Sequence, residues 1–326
     1  MKTRSDYGLH FHRKKTLYKA AAAIAAALLV SGSLVFFIGR KNRLGNERQE
    51  LLEYWENGFF DLAFSASDAA LLSKPMDYFF LTLRGFSAYQ LGIAQINNAD
   101  TLTYIDECIW SLRKAMLLKN GQNDGRVFYV LGKAYYYKGP EYADLAVLYL
   151  EKARSVLYRA ADIPEYLGLS YAALHDYRGS VEAFSQALTP SEAYFPGEAA
   201  TGVDFRGAQE PSDVLLLSIA RSYMALDELD AAQAYLLRCI EISRDSNIRV
   251  AARLLAAEIL GKNGDAGGAE IQYVAVLEET GENAEAHYQL GELYAGGGDM
   301  TRARAEWRRA YRIDPAHAGV RTRLGM

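Results

Sequence analysis

Residues Ala284 to His317 read AEAHYQLGELYAGGGDMTRARAEWRRAYRIDPAH, a span of 34 residues. A glycine run with an acid, Gly296 to Asp299, interrupts two stretches whose small and large apolar residues recur at helical spacing, and Pro315 closes the second stretch. A helix precedes the glycines where a phosphate-binding loop needs a strand, so the run is a turn between two helices. The span is predicted to be a helical hairpin. Gly291 and Ala303 are small residues that let two helix backbones approach.

The same skeleton lies upstream. Ile163 to Leu188, IPEYLGLSYAALHDYRGSVEAFSQAL, repeats the Leu-Gly pair, the aromatic residue three positions later and the turn. Numbered within a 34-residue unit, the eighth position is Gly168, Ala220, Ala257 or Gly291, and the twentieth is Ser180, Ala232, Ala269 or Ala303. Large residues surround them, with Leu167, Ile219 and Leu290 at position seven and Phe184, Leu236, Tyr273 and Trp307 at position twenty-four. Position twenty-seven holds Ala187, Cys239, Val276 and Ala310.

This pattern resembles the tetratricopeptide repeat (TPR). Extended to the whole chain, it predicts an all-α solenoid, an α-α superhelix, of about seven helix-turn-helix units: 44–77, 78–124, 125–160, 161–194, 213–246, 250–283 and 284–317. Four units occupy 44–190 and three occupy 213–317, separated by an insertion loop at 191–212, with 318–326 left as a C-terminal tail. Leu51 departs from the small eighth position, and the turn at Gly92 to Asp100 is expected to be long.

Residues 1–19 form a basic tail ahead of Ala20 to Gly39, AAAAIAAALLVSGSLVFFIG, twenty residues without a charge. At about 1.5 Å per residue a helix of that length crosses a hydrocarbon core of about 30 Å. Nine Leu, Ile, Val and Phe residues favour insertion, at roughly −0.3 to −0.6 kcal/mol each. Ser31-Gly32-Ser33 also reads as a signal-peptide cleavage site, but the apolar run continues to Ile38 and Arg40, Lys41 and Arg43 close it. One transmembrane helix at 20–39 is therefore expected. The positive flank sets the N-terminus in the cytoplasm and the repeat body on the extracytoplasmic side, periplasmic in a bacterium.

Residues 1–43 hold nine Lys/Arg against the single Asp6, whereas the remainder holds 27 Lys/Arg against 39 Asp/Glu. An acidic body disfavours nucleic acid as a partner. Cys108 and Cys239 share no CxxC or Cys/His spacing, and both fall at core positions, so neither a metal nor a redox site is expected. The five histidines, His10, His12, His175, His287 and His317, sit in no catalytic motif. No cofactor is expected, and the chain does not read as an enzyme.

What the resemblance implies is binding of other proteins along a concave groove lined by the first helix of each unit. Positions two, five, nine and twelve of the second and third units supply Phe79, Thr82, Phe86 and Tyr89, then Arg126, Tyr129, Lys133 and Tyr136. They form an aromatic wall with two cations, suited to an extended peptide or an amphipathic helix. Arg302, Arg304, Arg308, Arg309 and Arg312 crowd the last repeat helix and suit an acidic partner. The expected function is a membrane-anchored scaffold or adaptor in envelope assembly, secretion or cell division. The alternative is an enzyme accessory or substrate-binding subunit whose site is built from the Gly92–Asp100 and 191–212 loops.

Overall fold

A computed structural model of the chain describes residues 47–188 and 212–326. The membrane-span reading of 20–39 and all but Ser212 of the 191–212 insertion lie outside the described residues. Among the described residues no helix is long and apolar enough to cross a membrane.

Those residues are helical, without a strand, in two compact units divided at Gly121. The first unit holds α1 (residues 47–56), α2 (Phe60–Ser73), α3 (Tyr78–Ile93) and α4 (Asn98–Met116). The second begins with α5 (Gly125–Lys138), a short 3₁₀ turn (Pro140–Tyr142), α6 (Ala143–Ser155), α7 (Ile163–Ala173) and α8 (Tyr177–Leu188). It continues through α9 (Asp213–Ala225), α10 (Leu229–Ile242), α11 (Ser246–Lys262), α12 (Ala266–Thr280), α13 (Ala284–Gly296), α14 (Met300–Ile313) and α15 (Ala318–Leu324). Helices pack chiefly on their sequence neighbours, and within the second unit α5 touches α7, α7 touches α9 and α9 touches α11.

Local chemistry starts these helices. Asp77, Asn97, Asp124, Ser212, Asp245, Asp265, Asn283 and Asp299 each accept a hydrogen bond from a backbone N–H of the first turn. The turn inside each hairpin is equally regular. Position fifteen is left-handed in five repeats, at Gly58, His175, Asp227, Gly264 and Gly298, with φ of +60° to +83°. Only a residue that tolerates positive φ lets the second helix fold back there, and Gly, Asp and His supply it.

The hairpins cross where the eighth position meets the twenty-fourth. A Cβ on Gly85 would lie 2.6 Å from Leu112, on Gly132 2.6 Å from Leu150, on Gly168 2.5 Å from Phe184, and on Gly291 2.4 Å from Trp307. The glycine thus makes room for the large side chain of the facing helix as well as for its backbone. In the first hairpin Leu51 stands at position eight and Ser67 at position twenty-four, both buried. Large and small have changed places, so the departure at Leu51 is compensated.

Three expectations are corrected. The long turn at Gly92–Asp100 is short, because Asn97 caps α4, its side chain accepting from the Ala99 N–H at 2.9 Å, and the helix starts at Asn98. Residues 318–326 are not a tail: α15 closes the last hairpin by burying Val320 beside Ala303, Trp307 and Ala310. The groove residue Tyr89 is only 5% exposed, and Thr82 spends its hydroxyl on the Tyr78 carbonyl at 2.9 Å. Helix α3 is packed between α2 and α4 and has little surface left.

Packing continues across the insertion. Phe184 of α8 clusters with Leu215 and Ile219 of α9, and the buried Ser180 and Ser222 hydroxyls are 2.9 Å apart. Both cysteines are buried, and burial pushes each thiol up, Cys239 to about 11. Its Sγ–H donates to the Asp213 carbonyl at 3.3 Å. At about pH 8 the thiolate fraction is therefore small. A thiol reagent should label neither cysteine in the folded protein and both in denaturant.

Candidate functional site

In the first unit the candidates do not form a wall. Phe79 is half-buried, edge-on to Phe80 at 5.4 Å, with the Arg48 guanidinium 5.2 Å from its ring centre. It borders a shallow depression of about 420 Å³ together with Arg48, Met76, Tyr78, Leu118 and Lys119. Phe86 is half-buried, its ring 6.3 Å from Trp55.

The second unit gathers its candidates more tightly, on the neighbouring first helices α5 and α7. Tyr136 lies 5.4 Å from Tyr137 and 5.1 Å, edge-on, from Tyr166. The Tyr137 and Tyr166 hydroxyls are 3.1 Å apart. Tyr129 packs 5.3 Å from Tyr158, and its hydroxyl sits 2.8 Å from both carboxylate oxygens of Asp162. Behind α5 and α7, Gly132 and Gly168 let Leu150 of α6 and Phe184 of α8 come close.

The two cations are both paired within the chain. Arg126 donates to Asp124 at 3.1 and 2.7 Å, and Asp124 is the residue that caps α5. The Lys133 ammonium donates to Asp162 at 2.7 Å and lies 4.4 Å from the Tyr166 ring centre. Asp162 is position two of the fourth repeat, 29 residues from Lys133, so pairing between units neutralises the charge. Glu165, position five of that repeat, is half-buried and has no hydrogen bond or ion pair among the described residues. Burial raises its pKa, Asp162 raises it further, and Lys133 offsets part of this. Tyr136 is also held above its usual value by burial, by Tyr137 and by Glu165. Reading positions two and five one unit further would have found Asp162 and Glu165; Tyr137 and Tyr166 carried no positional signal.

The arginines of α14 are all exposed. Arg302 pairs with Asp299 at 2.6 Å and stacks 4.3 Å from Tyr294, and Arg309 pairs with Glu306. Arg304, Arg308 and Arg312, four residues apart along one stripe, have no partner among the described residues. The histidines with described surroundings are held structurally. His175 Nδ1 contacts the Tyr177 hydroxyl at 2.8 Å, His287 meets the buried Glu306 at 2.6 Å, and His317 caps α15 and reaches Glu285 at 3.1 Å. Among the described residues no group of three or more His, Cys, Asp and Glu is placed to hold a metal ion. One of the two loops from which an enzyme-accessory site was expected is largely helix.

The family model of the tetratricopeptide repeat matches residues 215–246 and 284–317, which carry α9–α10 and α13–α14. Among curated proteins none matches the sequence. Solved structures do. The C-terminal part of a TPR repeat-containing protein from Cytophaga hutchinsonii is similar with a TM-score of 0.60 and 14% identity, covering 86% of this chain and 100% of that one. PilW, titled a widely conserved type IV pilus biogenesis factor, aligns with a TM-score of 0.54 and 16% identity over 74% of this chain and 98% of its own. PilF of Pseudomonas aeruginosa aligns at 0.50 and 14% over 74% and 96%. At these identities the likeness is one of fold. The family model thus covers two of the helical hairpins, and the described residues share the fold of solved tetratricopeptide-repeat structures.

Proposed function

We propose that the protein is a non-catalytic scaffold that binds a peptide or helical segment of other proteins along its first-helix face, tethered to a membrane by residues 20–39. The observation that carries the reading is the α5–α7 ring cluster. Tyr136 and Tyr166 remain partly exposed although Val127, Leu131 and Leu167 already fill the interior behind them. Aromatic rings held rigid at a surface are what binding hot spots are made of. The uncharged leader and its six preceding basic residues support an N-terminus in the cytoplasm and a repeat body outside. Work on envelope assembly, secretion or cell division fits that placement.

Recovery of partners from solubilised membranes tests the binding. Tyr136→Ala should reduce the recovered partner at least tenfold, the loss of about 1.4 kcal/mol or more expected of an interface anchor. An unchanged set of partners in a variant that still folds would remove the groove assignment. Protease added to intact and to opened cells reports which side of the membrane carries the body.

The unpaired Arg304, Arg308 and Arg312 row supports a second contact, with an acidic surface. Such a contact would weaken with added salt.

A further inference from the structure

Building on the groove reading, we propose that the α5–α7 face is a receptor for a basic side chain, a Lys or Arg carried by an extended segment of the partner protein, with Glu165 as its counter-charge and Tyr136 as its ring wall. Three observations meet there. Glu165 is a half-buried carboxylate with no hydrogen bond or ion pair among the described residues, while its neighbour Asp162 is occupied by Tyr129 and Lys133. Half withdrawn from water, Glu165 has its charge offset only by Lys133, which is itself paired with Asp162, so an incoming cation would be favourable there.

The second observation is the ring geometry. Tyr136 stands edge-on to Tyr166 at 5.1 Å and to Tyr137 at 5.4 Å, so their faces are held at fixed angles, and Tyr166 is the residue next to Glu165 on α7. The Tyr136 hydroxyl is itself within the field of Glu165. Thirdly, these rings already accept an ammonium: Lys133 Nζ lies 5.0 Å from the Tyr129 centroid and 4.4 Å from that of Tyr166. Distances under about 6 Å are those of a favourable cation–π contact. Carboxylate and π faces together select for positive charge. Arg126 pairs with Asp124 and Lys133 with Asp162, which leaves Glu165 as the carboxylate of these three without a pair among the described residues.

The test uses the full chain in detergent micelles and two fluorescent probes, an alternating Gly-Arg octapeptide and an alternating Gly-Glu octapeptide, read by anisotropy. The Gly-Arg probe should bind the wild type and the Gly-Glu probe should not. Glu165→Gln keeps the shape and removes the charge, and it should weaken the Gly-Arg probe about tenfold. Because Glu165 makes no pair among the described residues, the variant's Tm should equal or exceed that of the wild type; a lower Tm would make Glu165 a structural partner and overturn the proposal. So would equal binding of the two probes, or Gly-Arg binding that Glu165→Gln leaves untouched. Partner recovery separates this proposal from the broader reading. Loss with Tyr136→Ala but not with Glu165→Gln keeps the groove and rejects the cation site, whereas indifference to both rejects the groove itself. A mass that rises with concentration in the wild type and not in Glu165→Gln would make a second copy's α14 arginines the ligand, and would overturn the assignment to another protein.

Discussion

Replacing Trp307 with Ala is expected to destabilise the second unit by about 3–5 kcal/mol, the cost of emptying a large aromatic site in a core that cannot fully collapse. Trp307 is 3% exposed, and it shares one cluster with Ala303, Ala310 and Val320 and is flanked by Tyr288, Tyr294 and Leu324. Its indole N–H is buried without a partner, so Trp307→Phe loses volume but no hydrogen bond and should cost distinctly less. The stronger check is a cycle with Gly291. Alone, Gly291→Ala places a methyl 2.4 Å from the indole and should cost about 1–3 kcal/mol, outweighing the gain of about 1 kcal/mol that Ala brings to a helix. In the Trp307→Ala background the clash is gone and the same change should be neutral or stabilising. Denaturant unfolding of the four proteins measures it, and additive effects would show that the two positions do not meet.

Arg84→Ala should be nearly as damaging, by about 3 kcal/mol, near the lower end for breaking a buried ion pair. The side chain occupies position seven of its repeat, where other units place Leu167, Ile219 or Leu290. It is buried between Phe64 and Trp110, 4.6 and 5.4 Å from their ring centres, and donates to Asp68 at 2.8 Å and Ser111 at 2.7 Å while contacting Glu107 at 2.9 Å. Truncation leaves two carboxylates facing each other across a hole. Both are partly solvated, which holds the cost down. Arg84→Leu restores the apolar residue that the other repeats use, and should retain more stability than Arg84→Ala; equal losses in urea would mean that the lost charge pairing, and not packing, accounts for the effect.

Arg84 also marks the boundary of what could be read in advance. The hairpins were legible because the crossing of two helices imposes a code on residues sixteen apart in one unit, such as Gly168 with Phe184 and Gly291 with Trp307. Pro315 announced a helix end for an equally local reason. What could not be read was pairing between units. Lys133 was read as a groove cation without its partner because Asp162 lies in the next repeat, and Arg84 sat where the pattern asked for an apolar residue. The exchange of sizes between Leu51 and Ser67 is another case, since each residue alone looks like an error and only the pair makes sense. Helix α15 was missed although His317, Val320 and Leu324 are spaced to cap and pack a short helix, because seven residues offer too little periodicity to separate from chance.

The contact of α8 with α9 has a consequence beyond packing. The polypeptide between Leu188 and Ser212 and the interface built by Phe184, Leu215, Ile219 and the paired serines join the same two hairpins independently. The α8–α9 contact therefore joins the two hairpins through side chains as well as through the backbone. A chain severed within residues 191–211 would still possess the α8–α9 contacts of Phe184, Leu215, Ile219 and the two serines, and its two fragments would be complements along that surface.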